Sequence, residues 1–196
     1  MNEGERIHAE TRAEWRAWLA ENHRQPNGVW LVSWKRATGK PFVPYAEAVE
    51  EALCFGWIDG VFNRLDDERT AQWFAPRRRG GTWAKSNKER VERLIAAGLM
   101  TEAGLAAIER AKADGSWTAL DAAEALEMPD DLATALDATP GARDGYESYS
   151  PSTRKMVLSF ISSAKRPETR ARRIADIVPR LAARLPFGEL FGRRRD

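Results

Sequence analysis

Apolar positions recur along this chain at two periods, and the switches between them mark the elements. From Thr11 to Asn22 the spacing is helical, with Trp15, Trp18 and Leu19 on one face. Thr11 and Glu14 have the spacing of a capping box, in which each side chain satisfies an orphan N–H of the first turn. After Pro26-Asn27-Gly28 the pattern becomes aromatic and β-branched. Gly28 to Lys35 is therefore predicted as a strand, with Trp30 and Trp34 on one face and Leu31 and Ser33 on the other. Tyr45 to Phe55 returns to helical spacing, with Tyr45, Val49, Ala52 and Leu53 on its stripe and Gly56 as its stop. Two strands follow, Trp57 to Leu65 and Thr70 to Ala75, joined by a turn at Asp66-Asp67-Glu68. Pro76 to Gly81 has loop composition. Ser86 and Glu89 repeat the capping-box spacing and predict a helix with Val91, Leu94 and Ile95 inward and Gly98 as its stop. Thr101 caps the next helix, with Leu105 and Ile108 inward.

Asp114 to Pro129 is alanine-rich without a clear period, and beyond it the chain reads as helix only. Asp130 to Asp137 is one short helix. Ser150-Pro151 is a cap followed by proline at the first helical position, with Met156, Val157, Phe160 and Ile161 as the buried face. Pro167 opens the last helix, where Ile174, Ile177, Val178 and Leu181 keep the period and Pro179 is expected to kink or end it. The fold class is α+β: a small antiparallel sheet packed with helices over residues 1–125, then an all-helical part over 126–185. A flexible basic tail over 186–196 ends in Arg193-Arg194-Arg195.

Composition narrows the function classes. Among 196 residues, 31 basic and 29 acidic side chains leave a net charge of +2, too little to indicate nucleic acid by itself. The one cysteine, Cys54, cannot form an internal disulfide, and two histidines are too few for a zinc site, so no metal and no cofactor is expected. No apolar run approaches the ~18–20 residues that span a bilayer, and Met1 to Glu10 is polar. The expectation is a cytoplasmic protein without a membrane span.

Several stretches carry a family likeness. Glu14-Trp15-Arg16-Ala17-Trp18-Leu19, Glu51-Ala52-Leu53-Cys54-Phe55-Gly56-Trp57-Ile58-Asp59-Gly60 and Phe74-Ala75-Pro76-Arg77-Arg78 are the first three. Trp83 with Asn87, and Ala164-Lys165-Arg166-Pro167-Glu168-Thr169-Arg170, complete the set. Through them the chain resembles the bacterial YdeI/OmpD-associated (bacteriocin-protection) family. The resemblance implies stress resistance, namely survival of bacteriocins or antimicrobial peptides, or association with an outer-membrane porin. It implies no defined reaction. Where that family tends to carry serines before the second capping box, this chain has Gly81, Thr82 and Ala84.

The candidate chemistry lies in three places. Gly56-Trp57-Ile58-Asp59-Gly60 puts a carboxylate beside an aromatic at a helix-to-strand joint. Asp59 is the one candidate for a catalytic group or a ligand acceptor, with Trp57 as a stacking wall. The alternative has Asp59 capping a turn or pairing with arginine, and Trp57 in the core. From Arg77 to Arg93, seven basic residues (Arg77, Arg78, Arg79, Lys85, Lys88, Arg90, Arg93) face Glu89 and Glu92, a local charge of +5. This glycine-bearing basic loop running into a helix start suits an anion, with Arg77, Arg78, Trp83, Lys85 and Asn87 as ligand-binding candidates. The alternative is a capped helix end beside a solvated loop. Lys165 and Arg170, at the proline-started helix, either complete such a pocket or pair with Glu47, Glu50 and Glu51. Trp57, Trp83 and Trp117 sit beside glycines and suit ligand stacking better than Trp15, Trp18, Trp30 and Trp34, which read as core.

Three functions fit these residues. The first is binding of a small anionic or polar ligand. The second is a nucleic-acid-binding protein using Arg77–Lys88 and Arg193–Arg195, against which the charge balance and the absence of a helix-turn-helix or RNP pattern speak. The third is docking of a protein partner through exposed apolar side chains at Met156–Ile161 or Phe187–Phe191. No residue pattern decides whether the protein is an enzyme.

Overall fold

The aromatic, β-branched run after Gly28 forms the centre of a sheet. The computed structural model describes residues 4–191. β1 (Arg6–His8) lies parallel to β2 (Val29–Trp34), and β4 (Arg69–Pro76) pairs antiparallel with both β2 and β3 (Trp57–Arg64), giving the order β1-β2-β4-β3. Asp66 closes the β3–β4 hairpin as expected of a short acidic side chain in a turn, its carboxylate accepting from the backbone N–H groups of Glu68 and Arg69. The parallel β1 was not legible in the sequence. Three residues of Arg-Ile-His carry too little alternation, and their pairing with Trp30, Leu31 and Val32 is a tertiary event.

The chain divides into two compact units, 1–119 and 120–196. In the first, α1 (Arg12–Asn22) begins with the capping box at Thr11 and Glu14, and α2 (Tyr45–Cys54) runs up to the Gly56 turn. Trp15, Leu19, Val29, Leu31, Leu53, Trp57 and Phe74 form the core between these helices and one sheet face. α3 (Lys85–Ala96) and α4 (Glu102–Ala113) complete the unit. Glu51 is only 2% exposed and is held by Arg12 (2.5 Å) and Arg16 (2.6 Å). A buried carboxylate between two guanidiniums avoids the cost of an uncompensated charge.

The second unit is helical throughout, with α5 (Asp121–Glu124), α6 (Asp130–Ala138), α7 (Ala142–Ser148), α8 (Pro151–Ser162), α9 (Pro167–Ala182) and α10 (Phe187–Leu190). Its core joins Leu132, Leu136, Tyr146, Leu158, Ile161, Ile177 and Leu181. α7 was not predicted, because its seven residues, with Gly145 and Tyr146 inward, are too few to show a period. Gly145 lets α7 meet α9 closely, since a Cβ there would overlap the carbonyl oxygen of Leu181.

Several details differ from the pattern. α9 continues through Pro179, because the proline and Ala175 both face outward, where the carbonyl left without its N–H partner can turn to water. Ile95 (49% exposed) and Leu105 (41%) point away from the core, while Val91, Leu94 and Ile108 are buried as expected. In α8, Met156 is exposed, whereas Val157, Leu158 and Ile161 are buried. Leu190 is buried and Phe187 exposed. The Arg193–Arg195 run lies outside the described residues. No helix among those described is long and apolar enough to cross a membrane.

Candidate functional site

Asp59 reaches a cavity through an irregularity in its own strand. It pairs with Phe74, and Phe62 pairs with Gln72, so one extra residue of β3 is taken up between them. Three residues apart, Asp59 and Phe62 would sit on opposite faces of a regular strand. The bulge at Gly60-Val61 returns both to the same face. Leu31–Gln72–Phe62 and Ser33–Thr70–Arg64 then form successive rows across the sheet. Over them, the 36–48 segment leaves a cavity of about 620 Å³ lined by Leu31, Ser33, Phe42, Val43, Tyr45, Asp59, Phe62 and Gln72. Phe62 is 63% exposed at its rim.

Inside it, the Tyr45 hydroxyl donates to Asp59 Oδ2 at 2.7 Å. Burial, and then the hydrogen bond to the Asp59 carboxylate and its charge, push the Tyr45 phenol up to about 12, against the opposing charge of Arg90. At neutral pH Tyr45 is therefore a fixed donor. Gln72 Nε2 donates to the Gly60 carbonyl at 2.8 Å and holds the bulge. Among the described residues no cation forms an ion pair with Asp59.

A second space opens at the other end of β3. Gly56 adopts φ +77°, the left-handed conformation that ends α2 and turns the chain into the strand. Its carbonyl accepts from Arg77 N at 3.0 Å, so the last turn of the hairpin returns beside the corner. α4 seats against the same corner: Gly104 has no room for a Cβ beside the Cys54 carbonyl, and the Thr101 hydroxyl donates to that carbonyl at 2.6 Å. The resulting cleft of about 600 Å³ is lined by His23, Arg24, Phe55, Gly56, Trp57, Arg77, Thr101, Glu102, Ala103 and Arg110. Trp57 forms part of its wall but is a core residue, 1% exposed, with Nε1 donating to the His23 carbonyl at 2.9 Å. The Arg77 guanidinium lies 3.5 Å over the Trp83 ring and donates through Nη1 to Thr82 O at 3.3 Å, while Nε and Nη2 are buried without partners. Burial pushes Arg77 down to about 10, with the Asp59 charge opposing, so it stays charged at neutral pH.

The arginine-rich bend itself is closed. Gly80 N donates to Asp114 Oδ2 at 3.1 Å, and the hollow beneath the bend holds about 10 Å³. Hydrogen bonds from Ser116, and with smaller effect the Gly80 N–H and the Arg79 charge, hold Asp114 below the usual carboxylate range. Arg78 is exposed and borders a separate hollow with Asn27 and Trp73. Trp83 is buried between Arg77 and Trp117, whose ring lies 4.9 Å away. The capping box expected at Ser86 does not form. Burial of Trp83 fixes the chain just before the helix, so α3 starts at Lys85 with Ala84 as its cap, and Ser86 lies within the first turn. Lys85 is exposed, 4.0 Å from Glu89, and Asn87 Oδ1 accepts from Arg90 at 3.1 Å.

Lys165 and Arg170 belong to the second unit. Arg170 grips Asp131 at 2.5 and 2.8 Å, and its hydrogen bonds hold that carboxyl below the ordinary range. This corrects the pairing expected with Glu47, Glu50 and Glu51: Glu50 and Glu51 are taken by Arg12 and Arg16 of α1 and by Arg93. Lys165 is exposed. Trp57 and Arg77 thus share the cleft, Asp59 faces the sheet cavity, and the remaining candidates lie at neither.

Tyr45, read from its spacing as part of an apolar stripe, is 55% exposed and carries the hydrogen bond to Asp59. Gly60 inside a strand pattern is a bulge signal that would have flagged the cavity. Arg24 and Arg110 gave no signal, since Arg24 lies in the loop just past α1 and Arg110 among the mixed charges of the exposed face of α4. Among the described residues no three histidine, cysteine or acidic side chains gather as a metal site.

Residues 7–107 match a family described as Domain of unknown function (DUF8412). Residues 125–184 match a family described as Bacteriocin-protection, YdeI or OmpD-Associated. No curated protein and no solved structure matches the chain.

Proposed function

The chain belongs to the domain family of unknown function matched by residues 7–107 and, through residues 125–184, to the YdeI/OmpD-associated, bacteriocin-protection family, and from that premise we propose that it binds a small polar ligand in the sheet cavity. The observation that carries this reading is the Asp59 carboxylate, fixed by Tyr45 and without an ion-pair partner, in the wall of a largely apolar space of about 620 Å³. Pockets for small molecules have this size and makeup, with few polar groups set among apolar walls. Asp59 accepts from the ligand, so the group that meets it is a hydrogen-bond donor or a cation. Phe42 and Phe62 then contact an apolar or planar body. An anion at this end of the ligand is disfavoured by the Asp59 charge.

The reading is tested by ligand-observed NMR with a panel of aromatic amines and alcohols. Binding is expected for aromatic amines, with at least a tenfold loss in Asp59→Asn and abolition in Ser33→Phe, which fills the cavity. A panel that shows no saturable binding, or binding unchanged in both variants, overturns it.

A further inference from the structure

We infer that the cleft between the Gly56 corner and the start of α4 is a separate oxyanion site, taking a small molecule that bears a diphosphate or a larger phosphate-type group. Three arginines, Arg24, Arg77 and Arg110, line it with His23, against one acidic residue, Glu102. Arg24 and Arg110 make no ion pair or side-chain hydrogen bond among the described residues. Arg77 stacks on Trp83 with two donor nitrogens buried and without partners, so it adds charge to the wall of the cleft and not an open fork. Elsewhere in the unit Arg12 and Arg16 enclose Glu51, Arg69 pairs with Asp66 and Arg93 with Glu50. Unmatched guanidiniums at a concave surface leave a positive potential that a ligand, and not the fold, neutralises.

The helix end adds to this. α4 is twelve residues long and begins at Glu102. The N–H groups of Glu102 and Ala103 precede the first intrahelical bond, so the positive end of the helix dipole opens into the same cleft. At about 600 Å³ the space is far larger than one phosphate, which is why a diphosphate or larger group is assigned. The exposed guanidiniums of Arg24 and Arg110 favour phosphate-type oxygens because a planar fork presents two parallel donors.

Pyrophosphate binding to the full chain, followed by titration calorimetry at low ionic strength, tests the site. Saturable binding is expected, tighter than for inorganic phosphate and weakened by added sodium chloride. Arg24→Ala and Arg110→Ala, both at exposed positions, are each expected to weaken it about five- to tenfold. Arg172→Ala, an exposed basic position in the second unit, is expected to leave it unchanged, and Asp59→Asn is expected not to weaken it. That last variant separates this site from the sheet cavity, whose ligand it should release. Absence of saturable pyrophosphate binding, equal binding of inorganic phosphate, or affinity unaltered in both cleft variants overturns the inference.

Discussion

In the helical unit four arginines work as ties: Arg143 holds Asp137, Arg170 holds Asp131, Arg173 reaches the Phe160 carbonyl and Ser163, and Arg180 bonds the Leu190 carbonyl. In the sheet unit Arg12 and Arg16 do the same around Glu51, yet Arg24, Arg77 and Arg110 line a cleft with a single acid, Glu102, which forms an ion pair with none of them. Aromatic content divides as sharply, since all eight tryptophans precede residue 120. A charge that closes a contact is neutralised by the fold, whereas an exposed charge left unmatched at a cleft keeps its potential available to a ligand. The contrast is why the proposed ligand sites both lie in the first unit.

The division of tryptophans makes the comparison measurable, because tryptophan fluorescence reports on the first unit alone. The largest effect is expected from Glu51→Leu. It leaves Arg16 without its carboxylate and Arg12 with Glu50 alone, and should destabilise the sheet unit by about 3 kcal/mol, the lower end for a broken buried pair because both guanidiniums are partly exposed, read as an earlier fluorescence transition in urea. Next come the two glycine seats. Gly104→Ala and Gly145→Ala each press a methyl into a carbonyl oxygen, at a cost of about 1–3 kcal/mol. The first should shift the fluorescence transition. The second should shift the loss of helical circular dichroism while fluorescence holds, and a fluorescence shift of equal size would show that the units unfold as one.

Smaller again is Arg170→Ala, expected to cost about 0–1 kcal/mol because the Asp131 pair is partly exposed. Arg170 lowers the folded pKa of Asp131, so the pair's contribution is present above the unfolded carboxylate value and is lost as pH falls through the lower folded one. The difference between wild type and variant should therefore vanish in acid. Tyr45 has the opposite sign of shift. Its folded value is raised to about 12 from 10.0, so its contribution is complete below pH 10 and is lost as pH rises from there to about 12. In Asp59→Asn the phenol should ionise below 12, measured by tyrosinate absorbance. It should stay above 10, because burial is the larger cause.

Helices with a cap and a long stripe were legible: Thr11 with Glu14, Thr101, and Ser150 with Pro151 begin their helices as the spacing implies. The hairpin was legible too, because its turn residues and alternation are local. The capping box at Ser86 was misleading for a local reason overruled by a distant one, the burial of Trp83 against Arg77 and Trp117. Of the candidate site, the residues Trp57, Asp59 and Arg77 were singled out by composition beside glycines, but not the spaces they border.

What this sequence determines by itself is the order and kind of its longer elements, since periodicity, caps and turn chemistry act over a few residues, while short ones such as β1 and α7 escape it. It also determines the α+β class and the family likeness. What tertiary structure alone decides is which side chains share a cavity. A single extra residue in β3 turns Phe62 toward Asp59, and the close seating of α4 on the Cys54–Gly56 corner brings Arg110 to the cleft that Arg24 and Arg77 also line. Both depend on through-space packing between segments far apart in the chain, which no local pattern encodes.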